Sequence, residues 1–195
     1  DKIPVTPRGA GTGLSGGSLT NLGGVLIDTS RMNSIIGIDE NNLQVTTEPG
    51  VITETLQESV KEKGLFYPPD PASSGSCFIG GNISENSGGP KAVKYGVVMD
   101  YVLNLQIVLP TGEIMWTGAN VLKNSTGYNL TQLIVGSEGT LARVTKIVLK
   151  LIPLPKYDLL MLAPFKDVGK ASEAVSAIFR ACYPPSALEL IEINA

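Results

Sequence analysis

Ten residues near the amino end carry the pattern in this sequence best suited to binding chemistry. They run Arg8-Gly9-Ala10-Gly11-Thr12-Gly13-Leu14-Ser15-Gly16-Gly17. Glycine adopts positive φ and has no Cβ to cover its N–H group, so a loop of this composition can approach an anion closely. Thr12 and Ser15 add hydroxyl donors, and Arg8 adds a fixed positive charge. The pattern predicts a phosphate-binding loop, and a pyrophosphate is the ligand we expect.

The same glycines also satisfy G-x-G-x-x-G, the pattern of the nicotinamide-binding turn in a Rossmann fold. That turn requires a helix directly after the glycines and an acidic residue about 20 positions further on. Here Gly23-Gly24 and the strand pattern Val25-Leu26-Ile27-Asp28 follow instead. Asp39 has a suitable spacing, but no helix accompanies it. We therefore reject the nicotinamide interpretation and keep a merely flexible glycine turn as the alternative.

A second region rich in glycine and proline spans residues 68–96. It contains Pro68-Pro69-Asp70-Pro71-Ala72-Ser73-Ser74, Gly80-Gly81-Asn82, Asn86-Ser87-Gly88-Gly89-Pro90 and Tyr95-Gly96. Ordering many glycines costs chain entropy, which is offset when their backbone lies against a planar ligand such as a flavin ring. The alternative is a long structural loop, because these residues also form ordinary turns.

Composition narrows the function classes. A chain of 195 residues with 43% hydrophobic content can bury a core, and a net charge of −3 provides no basic face for nucleic acid. No apolar run reaches the length of a membrane span and no signal peptide is visible, so we expect a cytoplasmic protein, at most peripheral at a membrane through a partner. Cys77 and Cys182 are too few for a disulfide scaffold or a zinc site, so no metal is predicted.

The sequence contains no histidine. This removes imidazole acid–base chemistry, histidine metal ligands and a histidyl link to a cofactor. The chemistry therefore belongs to a bound cofactor, or the catalytic residues lie outside this chain.

Hydrophobic periodicity predicts a mixed α and β chain with two clear helices. We expect strands at 25–28, 43–48, 103–109, 114–116 and 141–152, the third and fourth forming a hairpin, and a helix at 53–63. Pro153 and Pro155 predict a boundary between one domain at 1–155 and a second at 156–195. In the second domain we expect a β-α-β unit, with strands at 159–162 and 187–193 around a helix at 168–182.

Six blocks together resemble the FAD-linked oxidases of the vanillyl-alcohol oxidase/PCMH superfamily, most of all the glycolate oxidase flavoprotein subunit and D-lactate dehydrogenase group. The blocks are PRGAGTGLSGG, PPDPASS, IGGNISENSGG, KYGV, VLPTGE and GSEGTLARVTK, in this order. The resemblance implies an α+β FAD-binding PCMH-type domain, with a mixed or antiparallel sheet flanked by helices. It also implies that residues 156–195 open a ferredoxin-like cap domain.

The resemblance implies FAD contacts along three parts of the chain. The loop that wraps the pyrophosphate comprises Pro7, Arg8, Gly9, Ala10, Gly11, Thr12, Gly13, Leu14, Ser15, Gly16 and Gly17. The segments along the flavin and its ribityl chain comprise Pro69, Asp70, Pro71, Ser73, Gly80, Gly81, Asn82, Asn86, Ser87, Gly88, Gly89, Tyr95 and Gly96. The segment near the adenosine half comprises Glu138, Gly139 and Val144. For Glu138 the alternative is a carboxylate that binds N–H groups of its own loop.

Three departures from the family pattern are visible. Ala142 stands where the family usually has glycine. Asp1 falls just before the first loop, where the family has a further β-α-β subdomain, so we expect the chain to begin within a domain. The later histidines and arginine of the family are absent, so we assign no catalytic residue.

For the intact protein the resemblance implies oxidation of a D-2-hydroxy acid, of the glycolate or D-lactate type, to the 2-oxo acid by hydride transfer to flavin N5. A quinone, a cytochrome or an iron–sulfur subunit would accept the electrons, and a homo-oligomer is plausible. The alternatives are a noncatalytic flavin-binding or partner-binding subunit, and a cradle for another nucleotide such as a UDP-sugar. We expect FAD to be non-covalent, because a buried Cys77 is better interpreted as an apolar filler than as a flavin link.

Overall fold

The computed structural model describes residues 3–191, which form nine strands and five α-helices. The strands are β1 (Val5–Arg8), β2 (Val25–Asp28), β3 (Ile35–Asp39), β4 (Gln44–Thr47), β5 (Leu65–Phe66), β6 (Val102–Val108), β7 (Ile114–Trp116), β8 (Arg143–Lys150) and β9 (Ile152–Pro153). The helices are α1 (Thr53–Lys61), α2 (Ile79–Glu85), α3 (Ala92–Tyr95), α4 (Leu130–Ile134) and α5 (Val168–Arg180), with a 3-10 turn at Val98–Asp100.

A five-stranded antiparallel sheet organises the molecule in the order β3-β4-β8-β6-β7. Strands β1 and β2 form a separate parallel pair, and β5 pairs with β9 in antiparallel register. The central strand β8 places Ile147 opposite Leu105 of β6 and Thr47 of β4. This register lets the inward side chains of three strands meet in one core.

Alternating side chains explain why the central strands form. In β6, Leu105 and Ile107 are buried while Gln106 between them is only half-buried, as expected for a strand with one face on a core. Helix α1 buries Leu56 and Val60, four residues apart on one helical face, against the same core. Gly64 follows this helix with a φ of 69°, a conformation that glycine adopts without strain.

The structure confirms the predicted α+β class and several elements. The strand predicted at 43–48 is β4, the helix predicted at 53–63 is α1, and the predicted hairpin is present with Gln106 opposite Trp116. No helix follows the first glycine-rich loop, since residues 9–24 form turns and irregular structure. The prediction of only two helices was wrong: α2 and α3 lie in the glycine- and proline-rich region 68–96, and α4 lies in a segment for which no element was predicted.

The carboxyl-terminal segment differs from its prediction. Helix α5 is present, with the Asp167 side chain accepting from the Lys170 N–H at 2.9 Å. The strand predicted at 159–162 is absent, and so is strand structure at 187–191, while residues 192–195 lie outside the described residues. A strand needs a neighbour for its backbone hydrogen bonds, and the β pairs in residues 3–191 include none for these segments. Leu160 is accordingly 101% exposed.

No helix in residues 3–191 is both long enough and apolar enough to cross a lipid bilayer.

Candidate functional site

A cavity of about 380 Å³ lies between the loop after β1, the region around α2 and the loop before β8. Eighteen of the residues that the sequence analysis predicted to bind a ligand line this cavity. They are Pro7, Gly9, Ala10, Gly11, Thr12, Gly13, Leu14, Ser15, Gly17, Pro71, Ser73, Gly80, Gly81, Asn82, Ser87, Glu138, Gly139 and Val144. The fold therefore brings together three segments that are far apart in the chain.

The glycine-rich loop after β1 lines the cavity. Gly11 and Gly16 have φ angles of 73° and 76°, which favour glycine. Within residues 3–191, none of the backbone N–H groups of residues 9–17 donates a hydrogen bond to another protein atom. Gly13 lies directly against the Glu85 carboxylate, so a side chain at position 13 would collide with it. The loop thus presents unpaired donors to the cavity.

Helix α2 forms one wall of the cavity. Its buried residues Ile79 and Ile83 hold it against the core, although Gly80 and Gly81 are poor helix formers. Gly80 packs so closely on Pro49 that a Cβ there would lie 2.6 Å from the proline Cβ. On the other side, Gly81 N would lie 3.6 Å from a Cβ at Gly9. Glycine at position 80 therefore lets α2 pack closely on Pro49, while even a Cβ at Gly9 of the first loop would make only ordinary van der Waals contact with Gly81.

The loop before β8 is hydrogen-bonded to α2. Gly136 N donates to Ile83 O at 2.9 Å, and Glu138 N donates to Ser84 O at 2.8 Å. Glu138 has a φ of 53°, an uncommon conformation for a residue with a side chain. Its carboxylate accepts no hydrogen bond from the N–H groups of its loop within the described part of the chain. The backbone of this loop is therefore fixed while the Glu138 side chain stays exposed.

Sequence reasoning missed several lining residues and gave two others no binding role. The missed residues are Ser18, Thr29, Pro49, Phe78, Ser84, Glu85 and Arg143. Cys77 and Ala142, which the sequence analysis discussed for other reasons, line the cavity too. Most of these residues flank a glycine motif by one or two positions, so a wider window around each motif would have included them.

Arg143 is the most informative of the missed residues. Its Nη2 atom is buried and has no hydrogen-bond partner among residues 3–191. Burial lowers the pKa of Arg143, and the nearby Asp28 carboxylate opposes that shift. The signal in the sequence was an arginine at the start of a strand that otherwise carries buried apolar residues.

The remaining predicted residues lie outside the cavity lining. They are Arg8, Gly16, Pro69, Asp70, Asn86, Gly88, Gly89, Tyr95 and Gly96. Several make structural contacts: Asp70 forms an ion pair with Lys91 at 2.7 Å, and Asn86 Oδ1 accepts from the Met99 N–H at 2.8 Å. The Tyr95 ring packs edge-on to Phe66 with 5.7 Å between the centroids.

Cys77 is buried, and its Sγ lies 3.2 Å from Thr53 Oγ1. Among residues 3–191, no group of three histidine, cysteine, aspartate or glutamate side chains is arranged to hold a metal ion.

Comparisons with known proteins agree with this geometry. Residues 1–118 match the family described as FAD binding domain. The chain is 47% identical over 191 residues to the glycolate oxidase subunit GlcD of Bacillus subtilis, covering 98% of this chain and 41% of that protein. It is 44% identical over 192 residues to the D-lactate dehydrogenase of Anaerostipes hadrus, covering 98% of this chain and 40% of that protein.

A solved structure of alkyldihydroxyacetonephosphate synthase shares the fold. It superposes with a TM-score of 0.77 at 24% identity, over 94% of this chain and 33% of that one. The chain spans about two fifths of the length of the two relatives above.

Proposed function

This chain belongs to the FAD binding domain family, and on that premise we propose that it forms the FAD cradle of an oxidoreductase acting on a small D-2-hydroxy acid. The names of the relatives support the substrate class, since they include a glycolate oxidase subunit and a D-lactate dehydrogenase. The reaction is a proposal for the whole protein, because those relatives extend well beyond the matched residues.

The residues that line the cavity fit this cofactor. A pyrophosphate requires several donors at close range, and residues 9–17 offer backbone N–H groups that have no protein acceptor in the described part of the chain. Arg143 offers a buried donor that lacks a partner. Gly81 lines the cavity and has open space at its Cβ position, which a larger side chain would occupy. The unpaired N–H groups of residues 9–17 are the observation that carries the proposal.

FAD supplies the acceptor for the hydride of the substrate. The residues of this chain bind and orient the cofactor: the first loop at the pyrophosphate, α2 and Ser73 along the flavin and ribityl chain, and Gly139 and Val144 near the adenosine. Contact with all three segments fixes the cofactor and keeps water from the surfaces that they cover.

We propose that the groups which take the substrate proton lie outside this chain, because the chain has no histidine. We propose that a quinone, a cytochrome or an iron–sulfur partner accepts the electrons. We further propose residues 1–155 as the cofactor domain and 156–195 as the beginning of a cap.

A binding experiment tests the cradle. The purified chain is titrated with FAD, passed through a gel-filtration column and examined for flavin absorbance that co-elutes with protein. We expect co-elution and a flavin spectrum shifted from that of free FAD, with UDP-glucose failing to compete. If all the flavin separates from the chain, or if the UDP-sugar displaces it, the proposed cradle is wrong.

A second experiment tests the reaction in the whole protein. D-lactate and glycolate are added anaerobically, with L-lactate as the control, and we expect the visible flavin absorbance to bleach only with the first two. Bound FAD that no hydroxy acid reduces would favour a noncatalytic flavin-binding subunit, for which the absence of histidine in this chain is the supporting observation.

A further inference from the structure

The charges around the cavity are unevenly distributed. Within residues 3–191, Arg143 is the one lysine or arginine in the cavity lining. The other charged groups of the lining are the carboxylates of Glu85 and Glu138, and neither lies within ion-pair distance of Arg143 in that part of the chain. The cavity therefore contains a single cation that its own anions do not neutralise.

The Asp28 carboxylate, which acts electrostatically on Arg143, also lies beside a second guanidinium. The Asp28 carboxylate lies 4.0 Å from Arg8 Nε, and both arginines lower the pKa of Asp28, after the larger effect of hydrogen bonds from Ser30. One carboxylate balances one of the two guanidinium charges, so a positive charge remains beside the first loop. The Arg8 side chain itself lies against Gly11 of that loop.

An unpartnered donor on a buried charged group is costly, because the group has lost water and gained no replacement. The Nη2 atom of Arg143 is in this position. Native proteins satisfy the great majority of such atoms, with protein, water or a ligand. An anionic ligand in the cavity would satisfy the hydrogen bond and the charge together.

Resting on the proposed function, we infer that the guanidinium of Arg143 binds the pyrophosphate of FAD. The charge identifies the phosphate as the partner, since the rest of the cofactor carries no comparable anion. The position of Arg143 also identifies the phosphate as the partner, because Asp28 and Arg8 connect Arg143 with the loop proposed to wrap the pyrophosphate. Arginine suits this task because it stays charged and presents donors in a fixed planar fork.

The inference predicts opposite effects on binding and on stability. In the variant Arg143→Gln, we expect the Kd for FAD and for ADP to rise about ten- to a hundredfold, as for loss of a charged hydrogen bond. Adenosine and riboflavin, which lack the pyrophosphate, should bind with unchanged Kd. Without ligand, the variant should unfold at the same or a higher urea concentration, because a half-buried guanidinium with an unpartnered Nη2 has been removed.

The measurement is equilibrium dialysis of the 195-residue chain with each of the four compounds, at low and at moderate salt. Arg143→Lys keeps the charge without the fork and should recover part of the affinity for ADP. Arg31→Gln removes an exposed arginine outside the cavity and should leave every Kd unchanged. The salt dependence of ADP binding should weaken in Arg143→Gln alone.

Several outcomes would overturn the inference. If Arg143→Gln loses affinity equally for ADP, adenosine and riboflavin, Arg143 only supports the fold. The same conclusion holds if the variant unfolds at lower urea concentration without a selective loss of ADP affinity. Unchanged FAD and ADP binding would show that water satisfies Nη2, while the proposed cradle would stand. Failure of the unsubstituted chain to bind FAD would reject the proposed function itself, and the inference with it.

Discussion

The side-chain nitrogen Nδ2 of Asn82 donates a buried hydrogen bond to Oγ1 of Thr53 across 2.6 Å. The same hydroxyl lies 3.4 Å from the Cys77 carbonyl oxygen and 3.2 Å from Cys77 Sγ. Asn82 and Cys77 line the cavity, while Thr53 begins α1. This contact therefore joins the wall of the site to the core helix behind it.

Removing either partner of that bond should destabilise the chain. For Asn82→Ala and for Thr53→Val we expect a loss of about 1–3 kcal/mol in the free energy of unfolding, because a buried polar group loses its partner. Urea denaturation of both variants and the double variant gives their coupling energy, expected at about 0.5–3 kcal/mol. If the losses of the two single variants add up to the loss of the double variant, the two groups do not interact. Exposed Asn124→Ala is the control and should change stability by less than about 0.5 kcal/mol.

Substitution of Gly81 should change the stability of the chain and its affinity for FAD in opposite directions. A Cβ at this position meets no protein atom within 4 Å, so Gly81→Ala should stabilise the ligand-free chain by about 0.5–1 kcal/mol through the better helix propensity of alanine. Because Gly81 lines the cavity, the added methyl group should weaken FAD binding. Thermal unfolding without ligand and a titration with FAD measure the two effects. Unchanged FAD affinity would mean that the cofactor does not pass close to Gly81.

Gly89 should tolerate no side chain. A Cβ there would collide with the backbone carbonyl of Asp70, which cannot move aside easily. We expect Gly89→Ala to lower the free energy of unfolding by about 1–3 kcal/mol, the usual cost of overpacking. Gly37→Ala is the matched control, since a Cβ at Gly37 meets nothing within 4 Å. Equal stability of the two variants would contradict the packing described for Gly89.

Stability should fall at alkaline pH. Burial, with smaller effects of Asp100 and Tyr95, raises the pKa of Tyr101 from 10.0 to about 12 in the folded chain. Above pH 10 the unfolded chain loses this proton first, so ionisation favours unfolding until the folded pKa is passed. Burial raises the pKa of Tyr67 as well, in the same sense.

The urea midpoint should therefore decline between pH 10 and about pH 12. Tyr101→Phe should reduce that decline, at the cost of the hydrogen bond that Tyr101 donates to Tyr95 O at 2.8 Å. Tyr128→Phe is the control, since Tyr128 is 95% exposed. An alkaline decline of the same size in Tyr101→Phe and in Tyr128→Phe would assign the effect to other groups.

FAD should be released intact when the chain is denatured. Cys77 is buried beside Thr53, and we predict that its thiol forms no bond to the flavin. The mass of the denatured polypeptide should match the sequence alone, and Cys77→Ala should retain FAD after gel filtration. A polypeptide heavier by one flavin, with the increment lost in Cys77→Ala, would contradict the prediction.

The elements that could be predicted are those whose sequence pattern and tertiary environment agree. Strand β6 alternates apolar and polar residues, and α1 places Leu56 and Val60 on one face. Each pattern therefore favours one type of secondary structure. Helix α2 could not be predicted in this way. It contains Gly80 and Gly81, and only the burial of Ile79 and Ile83 against the core compensates for their poor helix propensity.

The predicted strand at 159–162 shows the opposite case. Its apolar side chains suit a strand, yet a strand exists only where a neighbour accepts its hydrogen bonds, and composition carries no information about that neighbour. Asp70 and Tyr95 belong to the predicted binding motifs but lie outside the cavity lining, because a motif records residue types and not the direction in which each side chain points.

By itself, the sequence determined the chemistry available to this protein: loops of glycine able to bind an anion, no imidazole, and a core of alternating apolar residues. Tertiary structure alone decided which groups share one cavity. Arg143 follows the first loop by more than a hundred positions, and only the folded chain brings the start of β8 to the same cavity as that loop. The physical reason is that strand pairing and core burial join residues far apart in the chain, whereas a sequence motif contains information only about residues adjacent to it in sequence.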